Sequence, residues 1–483
     1  MRSRGVAVVS SGPAVPGTAV GDLGPVPDRV PWPRRRVFPL LVMAALIAVS
    51  MGSTTWWGPL ITGAHRWGLP DDLWGTLTAA QRLLHGDIGG LYSRQTGLVG
   101  FPGAAVILVP AAAFIDAAGI SLQLPGAHNV HPTAWLLAGP YEIAISSVVL
   151  FAADALAERL GADRSKRAVL AAASAVGLWC VAVEWGHPED AVGVGLLLFA
   201  VLALSCRKAP RSAWLLGAGI AVQPVVLIAL PLILIALEPR RVAGYLIRAA
   251  TPAVVVLGAA TAANWRATVR AVTNQPNWPK VDHPTPWTSL APHLSGGAVA
   301  AGPFRLTAIG VAFMAAVILG RHFSAERGRV WTPQTLQEFL WWTALALALR
   351  SVFEPVMVAY YLWPVLAVAV IAAVRDWARL AATSVLVVVI TFGSQVSWHG
   401  PWAWYGPMIA GLAVTLFLAR LPARLTPVPP RLSRLRPSTA APASSGSTGS
   451  SASAGSSASA ACAGSAASAA SAASRTAWAA RER

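Results

Sequence analysis

The chain has 483 residues, of which 55% are hydrophobic and only 12% charged. A soluble domain carries about twice that share of charge, so the composition argues against a soluble globular protein and for a polytopic membrane protein. The net charge of +17 comes from 37 Lys and Arg against 20 Asp and Glu; the bases sit in short clusters between apolar runs, a pattern of membrane topology rather than of nucleic-acid binding.

Residues 1–36 are rich in Gly, Pro and Val and end in Arg34-Arg35-Arg36. They lack the charged, apolar and small-residue order of a cleaved signal, and read as a disordered cytoplasmic arm before an uncleaved span at 37–57. A large first outer loop, 58–133, follows. Within it the apolar run 102–118 contains Pro102 and Pro110 and reads as a short, broken, interfacial helix. As a full span it would put Arg159, Arg164, Lys166 and Arg167 outside, against the positive-inside rule. The run 213–237 has basic residues on both flanks and Gln223-Pro224 in its middle, so it reads as a pair of short helices that crosses and returns.

The remaining spans fall at 134–157, 168–184, 190–206, 243–263, 305–320, 336–350, 355–374, 380–397 and 402–420, with a second outer loop at 264–304. This predicts an all-α polytopic membrane protein of about eleven to twelve transmembrane helices. Both termini lie on the cytoplasmic side, and only eight of the 37 bases fall outside. From 421 to 483 the tail is rich in Pro and Arg, then in Ser and Ala, and reads as disordered. The chain shows no nucleotide-binding fingerprint or P-loop. Cys180, Cys206 and Cys462 are too few and too scattered for a disulfide frame or a Cys-rich metal site.

Three constellations on the outer face can carry chemistry. The first is Asp71-Asp72 after Pro70. A carboxylate just outside the membrane can take a proton from an attacking hydroxyl, and the same pair suits a helix N-terminus. Asp71, next to Pro70, is the better-placed cap, which leaves Asp72 as the base. The second is Glu184-Trp-Gly-His-Pro-Glu-Asp190, which puts His187, Glu189 and Asp190 in one short turn. It reads either as a functional acidic group or as a polar turn whose Glu189-Asp190 opens the next helix. Its spacing matches no strong metal motif, and a divalent cation stays open. The third is the set of outer bases: Arg66, Arg82, Arg266, Arg270, Lys280 and Arg350, with His187 and His283. Arg350 is the strongest of them for a developing phosphate charge, because it ends an apolar helix ahead of Tyr360-Tyr361. The Trp-, Asn- and Pro-rich stretch 274–287 suits either sugar binding or a membrane interface. Glu142 and Asp154, inside apolar runs, need partners or a cavity.

In their order, these pieces resemble the GT-C superfamily of integral-membrane glycosyltransferases, and within it the bacterial branch of polyprenyl-phosphate-mannose-dependent α-mannosyltransferases. The matching positions are Asp71 or Asp72, Ala80-Gln-Arg-Leu-Leu-His-Gly86, Leu91-Tyr92, Phe101-Pro102, Gly186-His-Pro-Glu-Asp190, Gly217-Ala-Gly-Ile-Ala-Val-Gln-Pro224, Arg350, and Tyr360-Tyr-Leu-Trp-Pro364. The resemblance covers 37–420 and implies a bacterial plasma-membrane enzyme. Its donor would be a polyprenyl-phosphate sugar, with mannose suggested, and its acceptor an envelope glycan or glycolipid. It further implies Asp72 or Asp71 as catalytic residue, with Arg350, His187, Glu189, Asp190, Arg82, Gln223 and Tyr361 toward substrate; Lys280 joins them as one of the outer bases. The chain departs from that pattern at Gln223, where such proteins often carry Lys, and at the single proline of Phe101-Pro102-Gly103. Two other readings remain open: a carrier or lipid flippase whose path is lined by Glu142, Asp154 and the 213–237 pair, and a catalytically silent scaffold of the same architecture.

Overall fold

The computed structural model describes residues 32–52, 69–93, 98, 100–122, 132–323, 331–396 and 400–420. The arm before 32, residue Arg66 and the tail after 420 lie outside the described residues. Within them the chain is mostly helical, with two short antiparallel strand pairs. Four helical stretches are long and apolar enough to cross a membrane: Thr133–Arg159, Arg164–Glu184, Pro188–Ser205 and Pro239–Thr273. Shorter apolar helices add to them, among them Val37–Gly52, Pro102–Ala117, Gly302–Ile318, Trp377–Gly393 and Tyr405–Arg420. This is the architecture of an all-α membrane protein.

Proline punctuates the bundle. Pro102, Pro188, Pro224, Pro239, Pro333 and Pro364 stand in the first turns of their helical segments, where a missing N–H costs nothing. At Gln223-Pro224 the same residue breaks a helix. The residue before proline is pushed out of the helical region, and Gln223 is extended at φ −139°, ψ 105° between Ala209–Val222 and a 3-10 turn, Pro224–Ala229.

The centre of the bundle is Trp363–Ala373, whose eleven residues are all buried. A helix apolar on every side belongs in a core. Gly302–Phe323 and Pro239–Asn274 are apolar too, yet their Leu306, Phe313, Ile318, Ile247 and Val254 are exposed; such faces belong against lipid. At the end of the bundle away from His187, Asp154 is 2.8 Å from Nη1 of Arg36 and 2.7 Å from Nε of Arg167. Glu158 joins the network 2.6 Å from Nη2 of Arg36. This network ties the N-terminal helix to the Val148–Arg159 and Arg164–Leu178 helices.

Two expectations need correction. Pro110 does not break its helix: Pro102–Ala117 runs through it. Pro110 and Val106, whose carbonyl it leaves without an intrahelical donor, are both exposed, so the helix keeps packing on its other face. The stretch 264–274, read as loop, continues the preceding helix to Asn274 across non-helical Asn264. The loop expected at 264–304 is thereby shortened. Its strands Pro276–Asn277 and His283–Pro284 pair with Val299–Ala300 and Val356–Met357.

Candidate functional site

The Asp71–Leu84 helix brings the first carboxylate. Its cap position is Pro70, at φ −58°, ψ 143°, and no side chain caps it. Asp71 therefore does not hold the expected cap position: proline holds it, and both aspartates fall in the first turn. The side chain of Asp71 lies outside the described part of the structure. Asp72 is half exposed, and its Oδ2 lies 3.1 Å from Nε2 of His187.

His187 sits in the turn between two apolar helices. The helix from Arg164 ends in a widened π-turn, Trp179–Glu184, and the next starts at Pro188 with Glu189 and Asp190 in its first turn. Nδ1 of His187 is 2.6 Å from Oε1 of Glu189. Carboxylates only accept, so an imidazolium donating from both nitrogens satisfies the arrangement. Burial alone would lower the histidine, but Glu189 and Asp72 outweigh it and hold His187 well above its usual range. The ring stacks on Tyr360 at 4.1 Å.

The turn reaches Asp72 because residue 186 is glycine. Gly186 has φ +68°, and a Cβ there would lie 2.7 Å from the Cβ atoms of Pro70 and Leu73. The backbone thus lies directly against the start of the Asp72 helix, an approach that only glycine allows.

Behind His187 the Asp190 carboxylate accepts from the amide of Gln223. The extended break at Gln223 and the bare Cα of Gly193 make this contact: a Cβ on Gly193 would stand 2.7 Å from Cβ of Gln223. Arg350 lies 3.9 Å over the Tyr361 ring, with its Nε 3.7 Å from Oε2 of Glu354. Buried Glu354 also accepts from Nε of Arg305 at 2.9 Å and from Asn277 at 3.2 Å. Arg305 donates in turn to Gln275. The loop is fastened over this cluster by Thr285 and Trp287, which donate to the Glu354 and Val352 carbonyls at 2.9 and 2.7 Å.

Asp282 completes the arrangement. Burial and the negative charge of Asp72 push it up to about 7, against the opposing pull of His187. Several buried polar atoms around the same turn have no hydrogen-bond partner among the described residues: both oxygens of Glu142, Oε2 of Glu189, Oδ2 of Asp190 and Nη1 of Arg350. Most buried polar atoms in folded proteins are paired, so this concentration sets the turn apart. Among the described residues no group of three or more His, Cys, Asp or Glu is arranged to hold a metal.

Of the residues picked out in the sequence, Asp72, His187, Glu189, Asp190, Gln223, Arg350 and Tyr361 thus gather around one end of the bundle. Arg82 is instead paired with Asp87 at 2.6 Å on an exposed surface. Lys280 is exposed on the turn between Trp278 and Asp282. Asp282, Tyr360, Glu354 and Arg305 were missed as site residues. Weighing the outer acids alongside the outer bases would have found Asp282, since it lies beside Lys280. No protein-family model matches the chain, and no curated protein is significantly similar to it.

Proposed function

We propose that this protein is a GT-C-like integral-membrane glycosyltransferase. It moves a sugar, with mannose the first to test, from a polyprenyl-phosphate donor to a hydroxyl of an envelope glycan or glycolipid on the extracytoplasmic face of a bacterial plasma membrane. The observation that carries the reading is the line Asp72–His187–Glu189, in which a half-exposed carboxylate is oriented by an imidazolium that is itself held from behind.

In the reaction Asp72 takes the proton of the acceptor hydroxyl as its oxygen bonds to the anomeric carbon. The bond from that carbon to the donor phosphate breaks, and the phosphate leaves with the electron pair. Developing charge on the phosphate is met by the cations nearest the site, Arg350 and His187. Gln223 brings no charge; its amide serves Asp190. The unpartnered oxygens of Glu189 and Asp190 suit sugar hydroxyls, which can donate to them. The carrier reading loses one of its proposed path residues, because Asp154 is engaged by Arg36 and Arg167.

The test is transfer from radiolabelled polyprenyl-phosphate sugars to envelope lipid extracts by the purified protein. Label should move to an extractable acceptor, and Asp72→Asn should slow it by about a hundredfold or more. No transfer from any donor, or transfer indifferent to Asp72→Asn, overturns the reading.

A further inference from the structure

The helix Pro239–Asn274 has 36 residues. At 1.5 Å per residue it is about 54 Å long, far more than the roughly 30 Å of a hydrocarbon core. The excess is not straight helix. Asn264, at φ −156°, ψ 82°, divides the element. The part before it is long enough to span a bilayer, and the part after it is a second short helix, 265–274.

Asn264 serves both sides of this bend. Its Oδ1 accepts from the backbone N–H of Ala267 at 3.2 Å, capping the second helix. Its Nδ2 donates to the carbonyl of Gly89 at 3.2 Å, fixing that helix to the loop that follows the Asp72 helix. Thr268 turns inward, 2% exposed, while Trp265, Arg266, Val269 and Arg270 are all exposed. At 3.6 residues per turn, Trp265 and Val269 form one ridge and Arg266 and Arg270 the ridge beside it. The Arg266 guanidinium stands 6.0 Å over the Trp265 ring. No Asp or Glu occurs anywhere from 239 to 274.

An apolar ridge flanked by arginines, with no acid to balance them, is the form of a helix lying in a membrane interface. We propose that residues 264–274 dock on the bilayer surface, with Trp265 and Val269 among the upper acyl chains and Arg266 and Arg270 on the phosphates of anionic phospholipids. The charge complementarity selects that lipid class: each arginine near an anionic surface enriches it about fivefold. Through Asn264 and Gly89, the docked segment also holds the loop after the Asp72 helix at the level of the headgroups.

The test uses the full chain in bilayers. Cys206 and Cys462 are replaced by serine, buried Cys180 is left in place, and Val269→Cys carries a bimane fluorophore. Phosphatidylglycerol or phosphatidylcholine, doxyl-labelled high on the acyl chain, is added at equal mole fraction. Phosphatidylglycerol should quench at least twofold more strongly, and the difference should vanish in Arg266→Gln/Arg270→Gln and in 1 M salt. Equal quenching by both lipids removes the anionic selectivity and overturns the proposal. So does quenching by neither, whether the face then proves to be in water or covered by a second copy, which cross-linking through the unlabelled thiol of Val269→Cys would reveal.

Discussion

Oδ2 of Asp72 and Nε2 of His187 meet at 3.1 Å although 115 positions separate them in the chain. The contact joins the Asp71–Leu84 helix to a turn between two buried helices, and Glu189 fixes the histidine from its other side. If Asp72 is the base, Asp72→Asn lowers the transfer rate about 10²- to 10⁴-fold, the usual worth of a positioned proton acceptor. Its melting temperature should stay close to the parent's, because Asp72 is half exposed and Glu189 keeps its hold on His187. His187→Gln should also slow transfer, since it loses both the charge and the orientation of Asp72. Single-turnover rates beside thermal scans check both variants.

Asp282 provides a pH signature. Its ordinary value in an unfolded chain is 3.8, and in the folded protein it is raised to about 7. Between these limits the folded form keeps a proton that the unfolded form has released, so stability falls as pH rises through the window and levels off above about 7. Asp282→Asn should remove that slope, so its advantage in melting temperature over the parent is larger at pH 8 than at pH 4. A stability profile of the two proteins checks this, and an unchanged slope in the variant would exclude Asp282 as its source.

Two glycines separate backbone strain from site geometry. Gly186 and Gly296 both have positive φ, +68° and +76°, but only Gly186 has atoms within 4 Å of where a Cβ would stand. Gly296→Ala should cost about 1–3 kcal/mol of strain and leave transfer per folded molecule intact. Gly186→Ala carries the same strain and also pushes Pro70 and Leu73 away, so it should lose activity beyond its loss of stability. The discriminating quantity is the rate normalised to folded protein.

Glu354 is 1% exposed and serves Arg305, Arg350 and Asn277. Removing one partner of a buried ion pair strands the others, at about 3–5 kcal/mol. Glu354→Ala should therefore destabilise severely. Asp87→Asn, which breaks the exposed pair with Arg82, should leave the melting temperature where it was. Denaturation in detergent compares the two directly.

The sequence made legible what local chemistry decides. Gln223-Pro224 announced a break because proline removes a donor and disfavours helix before it. Glu189-Asp190 announced a helix start because acids favour that end. Sorting the loops by positive charge grouped Asp72 with His187 and Arg350, which the fold brings to one end of the bundle. It could not show which loop residues turn inward. Glu354 looked like one acid at the end of a helix, while its strongest partner, Arg305, stands 49 positions away. The bend at Asn264 was hidden because the residues after it remain compatible with helix, so a falling hydropathy looked like a loop. Pro110 misled in the opposite sense: proline weakens a helix without ending it when the rest of its face is well packed.

The close approach at Gly103 bears on biogenesis. A Cβ there would lie 2.1 Å from the carbonyl oxygen of Ala221 and 2.9 Å from the N–H of Val222, so the Pro102–Ala117 helix abuts a segment synthesised long after it. Tyr360, which stacks on His187, emerges later still. A nascent chain halted before residue 360 has Asp72 and His187 but not the ring that stacks on His187. The support of His187 by the Tyr360 ring is thus added among the last parts of the bundle. Truncated or stalled chains should display the first loop in an open, protease-sensitive form.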